Sequence, residues 1–121
     1  MEKKILVVED SEETRDLVYE LLNISNYHVY PVSDGYYALD VMENDHPDLI
    51  IMDVRMPHRG GVETAIEIRK DQRYKNIPII FISAFDDVTS QTLSELGGKV
   101  DFMRKPLDMD LLLSKIKNFL K

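Results

Sequence analysis

Acids, a hydroxyl and an amine occur at corresponding places along this chain, each soon after a short apolar run. They are Glu9 and Asp10 after Ile5–Val8, Asp53 after Leu49–Met52, Ser83 after Ile79–Ile82, and Lys105 after Val100–Met103. If these runs are parallel strands, their carboxyl ends meet at one edge of a sheet, and the polar groups meet with them. Three carboxylates held close together repel one another, and a hard divalent cation with oxygen ligands relieves the repulsion. The sequence therefore predicts a Mg²⁺ site formed by these acids.

Such a site is suited to phosphoryl transfer. A bound cation shields the acids from an incoming dianionic phosphoryl group and bridges its oxygens during in-line transfer. One of the carboxylates can then act as the nucleophile and become an acyl phosphate. Lys105 adds a compact positive charge for the phosphoryl oxygens, and Ser83 adds a short hydroxyl donor.

Five alternating β/α units are predicted to position these groups. One more apolar run, His28–Val32, is the second of the five in chain order. The stretches between the runs have helical spacing. Ser11 is a suitable N-cap for the first helix. The covered face of that helix is predicted to contain Thr14, Leu17, Val18, Leu21 and Leu22. The covered face of the third helix, after Gly61, is predicted to contain Val62, Ala65, Ile66 and Arg69.

The composition of the runs predicts the order of the strands. Strands buried on both faces are continuously apolar, as the first, third and fourth runs are. The second run contains Pro31, which cannot donate a ladder hydrogen bond, and the fifth mixes charged and apolar residues. These two are the predicted edges, so we expect an α/β fold with a flavodoxin-like (βα)5 doubly wound parallel sheet in the order 2-1-3-4-5. Its ligand crevice would lie between the first and third strands.

Four motifs occur in order: ED after the first strand, DVRMP with Gly61 nearby, the S that ends PIIFIS, and KP after the fifth strand. Together they make the whole chain resemble a response-regulator receiver domain of two-component signalling, similar to the chemotaxis regulators. The resemblance implies that Asp53 is the phosphoacceptor and that Glu9 and Asp10 are the acidic pair. It also implies that the metal ligands are these three acids and the backbone carbonyl of Arg55.

The same resemblance assigns roles to residues of the fourth and fifth strands. It implies that Lys105 and Ser83 assist phosphorylation, that Ser83 and Phe102 form the switch, and that the Lys105–Pro106 peptide bond is cis. The phosphoryl donor would be a sensor histidine kinase or a histidine phosphotransfer protein. A downstream target would bind the face formed by the fourth helix, fifth strand and fifth helix.

Two positions beside the acceptor depart from the commonest pattern of the family. Arg55 stands two residues after Asp53 and is larger than the usual occupant, and Phe85, two after Ser83, is bulky and apolar. In the family these positions flank the approach of the water that hydrolyses the acyl phosphate. Neither side chain is suited to orienting a water molecule, and Arg55 can bond phosphoryl oxygens. We therefore predict slow self-dephosphorylation, with Arg55 and Phe85 as rate-modulating residues.

Other interpretations use some of the same residues. A Mg²⁺-dependent phosphohydrolase of the haloacid-dehalogenase type would usually carry Asp or Thr where Arg55 stands, and it would need room for a substrate cap. A flavodoxin-like cofactor carrier would need a phosphate loop rich in Ser, Thr and Gly after the first strand. A degenerate receiver that only docks partners is disfavoured by the intact acids, hydroxyl and lysine. Taken singly, Asp10 or Asp34 could instead cap a helix.

Length, charge and composition narrow the class of protein. With 121 residues, 44% of them hydrophobic, we expect one domain over residues 1–121. The net charge of −7 has the wrong sign for direct binding to nucleic acid. The absence of cysteine suits a reducing compartment, and the first apolar run is too short for a signal peptide or membrane span, so we expect a cytoplasmic protein without membrane insertion. The three histidines, His28, His46 and His58, lack metal-ligand spacing and are predicted to lie at the surface.

Overall fold

The computed structural model describes residues 2–57, 59–86 and 88–121, so the predicted surface position of His58 lies outside the described residues. The strands are β1 (Lys4–Val8), β2 (His28–Val32), β3 (Leu49–Asp53), β4 (Ile79–Ser83) and β5 (Val100–Arg104). The helices are α1 (Glu12–Ile24), α2 (Gly35–Asn44), α3 (Gly61–Lys70), α4 (Ser90–Leu96) and α5 (Met109–Phe119), and a 3-10 turn spans Gln72–Tyr74. Among the described residues, no helix is both long and apolar enough to cross a membrane.

The five strands are parallel and lie in the order β2-β1-β3-β4-β5. This order confirms the predicted doubly wound sheet and both predicted edges. The three inner strands are almost wholly buried because helices cover both faces, whereas β2 and β5 are partly exposed. The chain reverses its direction of travel across the sheet between β1 and β3, which places a crevice at their carboxyl ends.

Alternate side chains of the strands enter two separate core layers. On one face, Leu6, Ile50 and Phe81 pack with residues of α2, α3 and α4. On the other face, Ile5 and Ile51 pack with residues of α1 and α5. Because successive strand residues point to opposite faces, a continuous apolar run supplies both layers at once.

The predicted covered faces of two helices need correction. Leu17 of α1 is 51% exposed, and the residues of that helix that are buried are Val18 and Leu22. Ile66 of α3 is 46% exposed, while the buried residues of α3 are Gly61, Thr64, Ala65 and Ile68. The α3 face has the expected helical spacing, but it contains small and polar residues that an apolar pattern does not reveal.

A glycine allows α3 to begin directly against the end of β3. A Cβ added to Gly61 would lie 2.1 Å from the backbone carbonyl oxygen of Asp53 and 2.9 Å from Met52 Cγ. The Gly61 amide also donates to the Val54 carbonyl at 2.8 Å. The segment between Asp53 and α3 is therefore folded tightly back on the strand that it leaves.

Candidate functional site

The sheet brings three carboxylates together at the carboxyl ends of β1 and β3. Glu9 and Asp10 follow β1, Asp53 ends β3, and Val8 lies opposite Met52 in the register of the two strands. One carboxylate oxygen from each acid lies within 4.8 Å of the others. Glu9 is fully buried and Asp53 is 3% exposed, whereas Asp10 faces solvent. Of the three acids, only Asp10 is exposed, so solvent reaches the cluster from its side.

Backbone contacts hold Glu9 in place. Its amide donates to the Val32 carbonyl at 3.0 Å, and Arg15 Nη1 donates to its carbonyl at 3.0 Å. Glu9 Oε2 accepts from the Ser11 amide at 3.1 Å. Its other oxygen, Oε1, lies 2.7 Å from Lys105 Nζ, yet no aligned hydrogen bond reaches this buried atom. We interpret the contact as an ion pair, which leaves Oε1 with lone pairs available to a further cation.

Lys105 follows β5, which lies on the other side of β3 from β1, and its side chain reaches back toward the acids. Its amide donates to the Ser83 carbonyl at 2.8 Å, which extends the pairing of β5 with β4. Its Nζ lies 3.7 Å from Asp53 Oδ1 in addition to the contact with Glu9. The Lys105–Pro106 peptide bond is cis. The Lys105 side chain is about three-quarters buried, so its attraction to the acids is only partly screened by water.

Burial is the main influence on the protonation of the cluster when no metal ion is bound. It raises the pKa of Asp53 to about 9, and hydrogen bonds with Glu9 and Asp10 act in the same direction. Burial also tends to raise the pKa of Asp10, but hydrogen bonds with Asp53 and Glu9 outweigh it, and the net pKa of Asp10 lies below its ordinary value. Without a metal ion the cluster therefore keeps a proton on Asp53 at neutral pH, because the single ammonium of Lys105 does not offset three adjacent carboxylates.

Ser83 and Phe102 lie on the neighbouring strands. Ser83 ends β4 directly after Ile82, the partner of Asp53 in the sheet, and it is 1% exposed. Its Oγ accepts a hydrogen bond from the Phe85 amide at 3.2 Å. Phe102 is opposite Phe81 in the pairing of β5 with β4, and its partly buried ring packs against the core layer of α2, α3 and α4.

Arg55 and Phe85 meet above this edge of the sheet. The guanidinium carbon of Arg55 lies 3.9 Å from the centroid of the Phe85 ring, a cation–π contact. Both side chains are exposed, with Phe85 at 50%. The contact joins the segment after β3, which begins next to Asp53, to the segment after β4.

One contact near the site was not predicted from the sequence. Arg104, the last residue of β5, bonds Asp86 in the segment after β4, with Nη1 at 3.2 Å from Oδ1 and 3.1 Å from Oδ2. Opposite charges at positions 86 and 104 were the available signal, but only the strand pairing shows that they are neighbours.

Of the two possible capping acids, one is a cap. Asp34 Oδ1 accepts from the amides of Tyr36 and Tyr37, at 2.9 and 3.1 Å, so this carboxylate caps α2 and lies outside the acidic cluster. Asp10 does not have this role, since the side chain of Ser11 caps α1 by accepting from the Thr14 amide.

Comparisons with known sequences identify the family. Residues 5–117 match the model of the response regulator receiver domain. The chain is 39% identical over 116 residues, 95% of its length, to the CAI-1 autoinducer sensor kinase/phosphatase CqsS of Vibrio cholerae, and the match spans 17% of that protein. It is 31% identical over 120 residues to the polar-differentiation response regulator DivK of Brucella ovis, covering 99% of this chain and 98% of DivK.

Solved structures agree with this assignment. The chemotaxis protein CheY4 of Vibrio cholerae superposes with a TM-score of 0.89 at 28% identity, over 98% of this chain and 99% of CheY4. The receiver domain of sensor histidine kinase PA1611 from Pseudomonas aeruginosa, with a magnesium ion coordinated in its active-site cleft, superposes with a TM-score of 0.85 at 26% identity, over 99% of this chain and 98% of that one. This chain therefore belongs to the response regulator receiver domain family of two-component signalling.

Proposed function

We propose that this receiver domain is a switch that accepts a phosphoryl group on Asp53. The observation that carries the proposal is the position of Asp53. It is a buried carboxylate at the end of a central strand, 3.7 Å from the Lys105 ammonium and clustered with Glu9 and Asp10. The family relation supports a phosphohistidine as the donor, on a sensor histidine kinase or a phosphotransfer protein.

The transfer is a substitution at phosphorus. A carboxylate oxygen of Asp53 forms the new P–O bond while the P–N bond of the phosphohistidine breaks, and the electron pair of that bond remains on the imidazole, which takes up a proton. Lys105 stabilises negative charge on the phosphoryl oxygens as they approach. Ser83, on the strand next to Asp53, supplies a hydroxyl donor from the other side.

The acidic cluster fits a Mg²⁺ ion held by Glu9, Asp10, Asp53 and the backbone carbonyl of Arg55. Two observations support the fit: three hard oxygen donors within 4.8 Å of one another, and the buried Glu9 Oε1 with no hydrogen-bond donor among the described residues. When bound, the ion supplies positive charge that offsets the carboxylates and the phosphoryl oxygens. The magnesium in the PA1611 receiver domain supports the choice of metal.

We infer that the signal leaves the site through β4 and β5. A phosphoryl group on Asp53 would attract Ser83, which now accepts a hydrogen bond from the Phe85 amide, and movement of Ser83 would make room for the Phe102 ring. Phe102 belongs to β5 and packs against the core layer that includes α4, and Ser83 pairs with Arg104 of β5, so a downstream target is expected to bind the face formed by α4, β5 and α5. The two arrangements pre-exist, and phosphorylation favours one of them.

The phosphoryl group is expected to be lost slowly by hydrolysis at the same site. Such self-catalysed transfer and hydrolysis make the protein a switch with one acceptor, and not a conventional enzyme with external turnover. The contact between Arg55 and Phe85 supports slow loss, since it occupies space beside Asp53 with groups that do not orient water.

Intact-protein mass spectrometry tests the proposal. Incubation with a small acyl-phosphate donor and Mg²⁺ should add one phosphoryl group to the protein and to the control Asp16→Asn, an exposed acid of α1. It should add none to Asp53→Asn, and excess chelator should suppress the reaction in all of them. Modification that persists in Asp53→Asn, or is unaffected by chelator, would refute the assignment. Sustained release of inorganic phosphate from added phosphate esters would favour the phosphohydrolase instead.

A further inference from the structure

We propose that residues 83–86, here called the latch segment, are held in place by contacts with two arginines, Arg55 and Arg104. Phosphorylation of Asp53 breaks the contact with Arg55 and leaves the contact with Arg104. This inference rests on the proposed function, because it needs a phosphoryl group on Asp53. It assigns a positioning role to Arg104 and Asp86. The contact between Arg55 and Phe85 is the one that responds to the charge of the phosphoryl group.

Successive residues of the latch segment are tied to different parts of the site. Ser83 Oγ accepts from the Phe85 amide at 3.2 Å, which closes a local turn. The Phe85 ring lies under Arg55, which belongs to the segment after β3. Asp86 is bonded by Arg104 at the end of β5. The latch segment is therefore held from both neighbouring strands of β4.

The contact on the β5 side provides a tether that phosphorylation leaves intact. Arg104 presents one guanidinium nitrogen to both oxygens of Asp86, at 3.1 and 3.2 Å, and both side chains are more than half exposed. Such an exposed pair contributes little to overall stability, but it limits the positions that the segment can adopt. Arg104 is two residues after Phe102, so it shares a face of β5 with the ring whose movement the switch requires.

The contact on the β3 side is the one that a phosphoryl group can displace. A cation–π contact on an exposed ring biases an equilibrium by only about two- to fivefold. Arg55 stands two residues after Asp53, so a dianion on Asp53 would come within reach of its long side chain. Charge-assisted bonds from a guanidinium to phosphoryl oxygens are roughly twice as strong as neutral hydrogen bonds, and they exceed the attraction of an exposed ring. Phosphorylation is therefore expected to draw Arg55 from Phe85.

Loss of this contact would free the Phe85 ring while Asp86 stays bound to Arg104. Ser83 would donate its hydroxyl to a phosphoryl oxygen, and its movement toward that oxygen would lengthen the bond from the Phe85 amide, so both constraints on Phe85 would weaken together. The latch segment leads into α4, whose first residue is Ser90. Because Asp86 would stay fixed, movement of Phe85 would rotate the chain about Asp86 and shift the position of the start of that helix.

A tryptophan at position 85 makes the contact observable. The chain contains no tryptophan, and an indole ring retains the cation–π contact, so Phe85→Trp reports on this site alone. Collisional quenching of its fluorescence by acrylamide is measured before and after phosphorylation with a small acyl-phosphate donor. The phosphorylated fraction of each sample is determined by intact mass. We expect phosphorylation to raise the quenching constant.

Three further substitutions in the Phe85→Trp background separate the two arginines. With Arg55→Gln, quenching should already be high, and phosphorylation should change it little. With Arg104→Gln, the basal quenching should rise but the further rise on phosphorylation should remain. The control Arg73→Gln removes an exposed arginine that also has ion pairs and a ring contact, and it should behave like Phe85→Trp alone.

Failure of this inference differs from failure of the proposed function. Unchanged quenching in fully phosphorylated protein, or an undiminished rise with Arg55→Gln, would overturn the role of Arg55. Loss of the phosphorylation response with Arg104→Gln would overturn the role of Arg104 as a passive tether. Absence of any mass gain on Asp53 would refute the proposed function, and the latch would fall with it.

Discussion

Replacement of Gly61 by alanine should damage both the fold and the site around Asp53, because one methyl group would enter the tight contact between the start of α3 and the end of β3. The added Cβ would lie 2.1 Å from the Asp53 carbonyl oxygen, a backbone atom, whereas ordinary contact begins at 3.4 Å. The helix or the strand must therefore retreat by about 1.3 Å, the difference between these distances. Met52 Cγ, at 2.9 Å, blocks part of the retreat.

The expected cost follows from these contacts. Overpacking of a tight site costs about 1–3 kcal/mol, and weakening of the 2.8 Å bond from the Gly61 amide to the Val54 carbonyl adds roughly 1 kcal/mol. The reduced freedom of the unfolded chain offsets about 0.4–1 kcal/mol of this. We expect Gly61→Ala to lower the free energy of unfolding by about 2–3 kcal/mol, and the melting temperature by roughly 10 °C for a chain of this size.

Gly60→Ala is the matched control. Gly60 precedes Gly61 and is the N-cap of α3, and its added Cβ would lie 3.4 Å from the Val54 carbonyl oxygen, which is ordinary contact. Urea denaturation of this variant should show a change of less than about 1 kcal/mol. Calorimetric titration should show weaker Mg²⁺ binding in Gly61→Ala but not in Gly60→Ala, because Asp53 must shift with its own carbonyl. Equal stabilities of the two variants would refute the close packing of α3 on β3.

Three other outcomes are expected. In chelator, the pKa of Asp53 is about 9 in the folded protein and 3.8 in the unfolded chain, so the free energy of unfolding falls as pH rises between these values. Asp53→Asn should therefore stabilise the protein in urea titrations by about 1–2 kcal/mol at pH 8 and clearly less at pH 4. Lys105→Met should lower the free energy of unfolding by about 2–3 kcal/mol, because it leaves the buried Glu9 carboxylate without its ion pair; equal stability would contradict the pair. Arg55→Asn combined with Phe85→Glu should speed first-order loss of the phosphoryl group at saturating Mg²⁺ by roughly tenfold, and unchanged or slower loss would show that these residues do not control water.

The order of the sheet could be predicted because burial dictates strand composition. Central strands have a helix layer on each face, so every residue of β3 is apolar until Asp53. Pro31 and the charged residues of β5 are tolerated only where one side of the strand lacks a partner. Since strand order also determines which carboxyl ends are adjacent, the cluster of Glu9, Asp10 and Asp53 followed from the same reasoning.

The covered faces of the helices could not be predicted as well. In α3 the residues that approach the sheet are small, and Thr64 satisfies its hydroxyl by donating to the Gly60 carbonyl at 2.9 Å. A polar residue with an internal partner can be buried at little cost, so it carries no signal in an apolar pattern. The apolar pattern then assigns Ile66 to the core although it is about half exposed, and it assigns Leu17 of α1 wrongly for the same reason.

The site also has one part that the sequence predicts and one part that it does not. Backbone pairing dictates where Glu9, Asp53 and Ser83 lie, and a strand pattern is enough to infer it. Contacts between long side chains of separate segments, such as Arg55 with Phe85, depend on rotamers that no spacing encodes. The rigid part of the site holds Glu9 and Asp53 at low exposure, whereas the adjustable part is held by weak, exposed contacts. If Asp53 is phosphorylated as proposed, we therefore expect the new charge to rearrange the segments above the sheet and to leave the strands that carry the acids in place.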